Sequence, residues 1–228
     1  MMNNSKEFEV LKEFLEMPLS STDAVFEKFQ SIPESIFRED REDKAKRFLY
    51  VPGTRSNKLV LVAHADAVWD SMYGQDPQEP DVIFESGCFY SNVEGQGIGA
   101  DDRAGIAMVW LFRDLGHSLL ILGSEEKGQV AAKWLIEDHK DIAEEINNDH
   151  QFVVEFDVPG ARIYKTYHVG TPEFQEYLKE ELGYEFETRF TSDIDTLCRS
   201  VCGTNIAIGY YDNHTENEYL NYSEWLGC

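Results

Sequence analysis

Three apolar runs constrain this chain more than anything else in it: the "LVLVA" of "KLVLVA" (58–63), the "LLIL" of "SLLILG" (118–123) and the "FVV" of "QFVVEF" (151–156). A strand with one wet face alternates polar and apolar residues, so an unbroken apolar strand needs cover on both faces. Helical patterns stand between the runs, "DRAGIAMVWLFRDL" (102–115) and "GQVAAKWLIEDHKDIAEEI" (128–146). Strands buried on both sides that alternate with amphipathic helices predict an α/β fold. The expected form is a three-layer αβα sandwich around a mostly parallel, mixed sheet.

The remaining pattern fits that frame. "SKEFEVLKEFLEM" and "STDAVFEKFQSI" read as two helices within residues 1–32, packed on an edge or face of the sheet. "RFLYV" reads as a strand and "DVIFESGCFYSNV" as a hairpin turning at Ser86 and Gly87. Further on, "TPEFQEYLKEEL" is a helix, "YEFETRF" a strand, "SDIDTLCRSV" a helix and "NIAIGYY" a strand, with a short helix from about Asn217. No repeat, low-complexity tract or Pro/Gly/Ser linker interrupts the chain, so residues 1–228 read as one domain.

With 43 acidic against 20 basic residues, the formal charge is −23. Nucleic acid and anionic membranes would be repelled, so neither is an expected partner; most of the excess reads as a solvated surface. No apolar run approaches the roughly 18 residues that span a bilayer. "MMNNSKEFEVLKEF" lacks a cationic flank leading into an apolar segment, so no secretory leader is expected. Cys88, Cys198, Cys202 and Cys228 form no C-x-x-C pair, and Cys198 and Cys202 suit two core thiols one helical turn apart. A reducing, cytoplasmic setting follows as the expectation.

Open α/β sheets bind ligands just beyond the carboxyl ends of their strands. Five segments deliver His or carboxylate there: His64 and Asp66, Asp101 and Asp102 in "GQGIGADDRAGIA", Glu125 and Glu126, Asp157, and His214. Each alone has an ordinary reading. Acids cap helix starts, a core histidine is hydrogen-bonded, and paired glutamates face water. Together at one edge they would crowd like charge, which costs several kcal/mol per buried group unless cations compensate. Two divalent ions would do so.

The ordered set H-A-D, G-I-G-A-D-D-R-A-G, S-E-E-K-G, E-F-D and H-T-E-N-E, from about residue 58 to 221, resembles the co-catalytic zinc exopeptidases. That group includes leucyl aminopeptidases, peptidase T and the glutamate carboxypeptidase relatives. The resemblance implies that Asp101 bridges two metals through its two oxygens, with a cis peptide to Asp102, which helps hold it. It implies His64 and Asp157 on one metal, and Glu126 and His214 on the other. Asp66 would orient His64, and Glu125 would be the general base. Oxygen and imidazole donors suit zinc, and also manganese or cobalt.

The activity implied is metal-dependent cleavage of amide bonds in small peptides, from the amino end. The same site would serve a deacylase of N-acyl amino acids or other small amides. A non-catalytic metal-binding protein is the third class, and the retained Glu125 counts against it. Carboxypeptidase-like and peptidase T-like relatives insert a second domain before the last histidine. Here 56 residues separate Asp157 from His214 and read as ordinary α/β elements, so that lid is expected to be absent. Tyr210 or Tyr211 would either donate to an oxyanion or pack as core aromatics. His168 is a candidate for the cleft wall, and Ser192 and Asp193 for a helix cap. His117, His139 and His150 read as structural or exposed.

Overall fold

The apolar runs become the middle of an eight-stranded sheet in the computed structural model, which describes residues 5–188 and 191–228. In chain order the elements begin with α1 (Lys6–Leu15), α2 (Asp23–Gln30), β1 (Ile36–Glu39), β2 (Arg47–Val51) and β3 (Val60–His64). A hairpin follows, β4 (Val82–Glu85) and β5 (Cys88–Ser91), then α3 (Ala100–Phe112) and β6 (Ser118–Leu122). Next come α4 (Val130–Asp138), α5 (Lys140–Asn148), β7 (Phe152–Val158), β8 (Ile163–Lys165), α6 (Pro172–Leu182) and β9 (Glu185–Phe186). The chain closes with α7 (Asp193–Leu197), β10 (Cys202–Ala207), β11 (Tyr210–Tyr211), β12 (Tyr219–Asn221) and α8 (Tyr222–Leu226).

Strand order in the large sheet is β1-β2-β6-β3-β7-β10-β8-β9. The central four, β6, β3, β7 and β10, run parallel, while β2 and β8 flank them antiparallel. Pairing of Val60 with both Ser118 and Val153 sets β3, β6 and β7 in register, so the residues after His64, Leu122 and Val158 leave at one edge. Alternation along each strand fills two cores. Leu61, Ala63, Leu119 and Ile121 pack with α1, α2 and α3 on one face. Val60, Val62, Leu120 and Leu122 pack with α4, α5 and α7 on the other. The fold is thus a three-layer α/β sandwich, as the apolar runs require.

A four-stranded antiparallel sheet, β11-β12-β5-β4, adds Phe89, Tyr210 and Leu220 to the first core. Two long-range clamps hold the start of α3. The buried guanidinium of Arg103 donates to the carbonyls of Ala65 (2.6 Å) and Pro18 (3.0 Å). The Trp225 indole donates to Ala104 O at 3.0 Å.

The structure departs from the sequence pattern at several points. The strand expected over 205–211 is split, β10 ending at Ala207 and β11 holding Tyr210–Tyr211, and Cys202 opens β10 rather than sitting one helical turn from Cys198. The helix expected over 128–146 is two, broken at His139 (φ −118°, ψ 62°), whose ring packs edge-on against Trp134 and Phe48. Buried Leu135, Ile142 and Ile146 keep helical spacing through the break, which hides it. The last helix starts at Tyr222 rather than near Asn217, because Asn221 accepts from the N–H groups of Ser223 and Glu224 and so caps it there. The helix expected over 192–201 ends at Leu197. Of the strand expected over 184–190, Glu185–Phe186 is realised, and Arg189 and Phe190 lie outside the described residues. So do the first four residues of the N-terminal stretch read for a leader. Among the described residues no helix is long and apolar enough to cross a membrane.

Candidate metal centre

The glycine-rich approach to α3 exists because other groups come unusually near it. A Cβ on Gly97 would lie 2.6 Å from Thr215 O and 2.8 Å from Glu218 Oε2. One on Gly105 would collide with the Asp102 carboxylate and Phe156 O. Glu218, buried, accepts from the N–H groups of Gly99 (2.7 Å) and Asp101 (3.0 Å), fixing the turn that presents Asp101. Asp102 holds the other side. Its Oδ1 accepts from Gly105 N–H at 3.0 Å and its Oδ2 from His64 N–H at 3.1 Å, tying α3 to the end of β3. The peptide bond between Asp101 and Asp102 is cis.

Asp101 then faces two imidazoles. Its Oδ1 lies 3.1 Å from His64 Nε2 and its Oδ2 lies 3.1 Å from His214 Nε2. Asp157 Oδ1 is 3.5 Å from His64 Nε2, and Glu126 Oε1 is 2.8 Å from His214 Nε2. The five residues converge as two sets that share Asp101. His64, Asp101 and Glu126 have ligand atoms within 4.8 Å of one another, as do His64, Asp102 and Asp157. Both Asp102 oxygens already accept backbone N–H groups, so Asp102 is better placed to hold the turn than to bind an ion. The acidic side chains of the two sets are at most 8% exposed, whereas His214 is 47% exposed and forms the open side.

Asp66 joins the histidine to the glutamates. Its Oδ1 is 3.3 Å from His64 Nδ1, and its oxygens accept the N–H groups of Glu125 and Glu126 at 3.1 Å each. The Tyr73 hydroxyl also donates to it. Tyr210 is a buried aromatic whose hydroxyl donates to Asp157 Oδ1 at 3.0 Å, while Tyr211 turns away and donates to Glu224. Asn213 Nδ2 donates to Asp101 Oδ2 at 2.8 Å.

His168 is a correction. It is 58% exposed, pairs with Asp195 at 3.1 Å and does not line the cleft. Ser192 caps α7, accepting from Ile194 N–H; Asp193 is the first helical residue, buried with neither oxygen hydrogen-bonded. His117 accepts from Leu59 N–H, His139 packs against Trp134, and His150 bonds Ser118. Glu218, Tyr73 and Asn213 were missed from sequence. No pattern marks them: Glu218 is the last residue of "HTENE" (214–218) and reads there as one more surface acid.

The cleft above this centre holds about 320 Å³ and is lined by Asp101, Glu125, Glu126, Asp157 and His214, among others. Among the described residues no lysine or arginine lines it. Such crowding disturbs every titratable group. Burial, with Asp157, Asp193 and Glu155 adding and His64 opposing, pushes Glu125 up to about 11. Burial and then Asp101 raise Asp157 to about 7. Burial alone would lower His64, yet Asp157, Asp101 and Asp66 hold its imidazole well above the usual range. Hydrogen bonds to Asp101 and Glu126 carry His214 to about 10. Glu126 Oε1 is buried without a well-aligned hydrogen bond. A cluster so rich in anionic donors and so short of cations fits divalent metal.

No family model matches the chain, and no curated protein matches it. Solved structures do. Aminopeptidase PepT from Bacillus cereus superposes with a TM-score of 0.67 at 14% identity, covering 98% of this chain and 95% of that one. A tripeptidase from Staphylococcus aureus gives 0.66 at 14%, covering 100% and 96%. The TET aminopeptidase from a marine-sediment thaumarchaeote gives 0.60 at 11%, covering 98% and 94%. The chain therefore has the fold of these peptidases.

Proposed function

We propose that the protein is a dinuclear metal-dependent amide hydrolase that removes residues from the amino end of small peptides. One observation carries this reading: the two oxygens of Asp101 each face a different imidazole, and each pair has its own further carboxylate, Asp157 or Glu126. That donor arrangement would suit two divalent ions, with zinc favoured by imidazole and oxygen donors. His64 and Asp157 would hold one ion, Glu126 and His214 the other, and Asp101 both. The chain works in this reading as one catalytic domain, residues 1–228, without a lid. The peptidases sharing its fold support the same class of chemistry.

When bound, the ions polarise the scissile carbonyl and acidify the attacking water. The chain supplies the rest. Glu125 is held over the cleft by Asp66, which binds its N–H, and it takes the proton of the water and returns it to the leaving amine. In the ionised form that a neighbouring divalent charge would favour, Glu125 can accept that proton. Asp66 fixes the tautomer and direction of His64, and Glu218 fixes the turn that aims Asp101.

Deacylation of N-acyl amino acids is the second reading. Its substrates carry the same carboxylate as a dipeptide, for which the described lining offers no lysine or arginine, and lack only the free ammonium group. The free ammonium group of a peptide is what the acidic part of the lining, Asp101, Glu125, Glu126 and Asp157, would favour. The test is elemental analysis after zinc saturation, with hydrolysis of dipeptides, aminoacyl arylamides and N-acyl amino acids measured with and without chelator. Two ions per chain and chelator-sensitive cleavage of free-amine substrates are expected. At most one ion, or no cleavage of any of them, would overturn the reading.

A further inference from the structure

Gln129 holds a backbone conformation better suited to glycine. It follows Gly128, and both are left-handed, with φ of 81° and 62°. A Cβ is crowded by its own carbonyl in that region, and a side chain kept there against strain points to a use. Its position supports one. The N–H groups of Gly128 and Gln129 both donate to Glu125 O at 2.8 Å, so Gln129 rides on the same turn as Glu125. Its side chain lines the cleft and spans to α7, where the buried Thr196 hydroxyl donates to Gln129 Oε1 at 2.6 Å.

That bond occupies the carbonyl end of the amide. Among the described residues nothing accepts from Gln129 Nε2, so the donor end is the one left for the cleft. Direction follows from the proposed chemistry, on which this step rests. Glu125 hands a proton to the leaving amine, so the chain beyond the scissile bond departs past Glu125 and its turn.

We propose that Gln129 is a specificity-determining residue whose Nε2 donates to the backbone carbonyl of the residue after the scissile bond. The site then discriminates peptides from amino-acid arylamides, which lack that carbonyl. The donor is pre-aimed by Thr196, so little freedom is lost when substrate binds.

The test is calorimetric binding to zinc-saturated protein, which needs no turnover. Two reduced-bond probes are compared, an alanyl-alanine amide with CH2–NH in place of the scissile amide, and the matching anilide without a second carbonyl. Gln129→Gly relieves the left-handed backbone but takes the acceptor from the Thr196 hydroxyl, so its melting temperature should shift by only a few degrees and its zinc content should be unchanged. It should weaken the dipeptide probe about 2–10-fold, the range for one neutral hydrogen bond, and leave the anilide alone. Thr196→Val frees the amide without removing it and should fall between wild type and Gln129→Gly. Equal weakening of both probes, or unchanged dipeptide binding in Gln129→Gly, would overturn the assignment alone. If wild type binds neither probe, the hydrolase reading falls and takes this assignment with it.

Discussion

The two ends of β6 make an instructive pair. At its start, Ser118, His150 and Glu145 are the residue types of a hydrolytic triad, and at its end stand Glu125 and Glu126. The starting cluster is closed. Gly53 N–H donates to Ser118 Oγ at 2.8 Å, Ser118 lies 2.8 Å from His150 Nε2, and His150 Nδ1 is 3.0 Å from Glu145 O. That chain fixes the tautomer, with Nδ1–H donating and Nε2 accepting. Tyr50 hydroxyl (2.8 Å) and Lys58 Nζ (2.9 Å) satisfy the Glu145 carboxylate, so charge is balanced within the cluster. At the other end, carboxylates outnumber imidazoles and, among the described residues, no lysine or arginine lines the cleft they form. Residue types alone do not separate scaffold from site. Charge left open does.

The comparison breaks most visibly in turnover. Glu125→Ala should cut amide hydrolysis by about 10²–10⁴ while both ions stay bound, because it is the base and not a ligand. Glu126→Ala should lose rate and one ion, and Ser118→Ala should lose neither. Steady-state rates with metal analysis on the three variants decide this; full activity in Glu125→Ala would place the chemistry elsewhere.

The next largest effect is on metal affinity. Glu218→Ala leaves the N–H groups of Gly99 and Asp101 without their acceptor. Zinc binding measured by chelator competition should weaken about 10–100-fold, the usual result of removing a group that orients a ligand. Lys58→Ala, at the closed end, should not change it. If Lys58→Ala weakens zinc as much, the two ends are not separate devices.

Stability should sort the variants the other way. His150→Ala leaves the Ser118 hydroxyl proton without its acceptor in the interior, costing about 1–3 kcal/mol in urea unfolding with zinc affinity intact. An unchanged midpoint would mean that the closed cluster is not structural.

The smallest effect is in pH. Burial holds His150 below its ordinary range, so the fold favours the neutral ring. The unfolded chain takes up a proton near pH 6.5 that the folded one resists, so this contribution is present above that pH and lost as pH falls through it. Urea unfolding between pH 7.5 and 5, about the ordinary histidine pKa of roughly 6.5, should weaken more steeply in wild type than in His150→Ala. Parallel curves would remove His150 from the account.

What the sequence made legible was whatever an element's own period or end encodes. His64 and Asp157 follow apolar runs, Glu125 and Glu126 follow another, and the glycines announce the turn at Asp101. The structure brings these together at the carboxyl edge of the large sheet. Partners chosen only by folding left no such trace. Glu218 bonds backbone 117 residues away, and Tyr73 reaches Asp66 from a loop. Strands β1, β8 and β12, of three or four residues each, are too short to show a pattern. The break at His139 preserves helical spacing, so periodicity cannot report it.

Arg103, in the first turn of α3, reaches out to Pro18, and Glu218 and Trp225 reach back to that turn, across 85 to 121 residues of chain. Loops of that length close late, after local helices and the neighbouring strands have formed. Asp101 therefore reaches its place only near the end of folding, and the partly folded chain offers an ion nothing better than scattered carboxylates. Interactions made after the rate-limiting barrier slow escape from the native state without hastening arrival. Divalent ions should accordingly lengthen the lifetime of the folded protein and leave its refolding rate almost untouched.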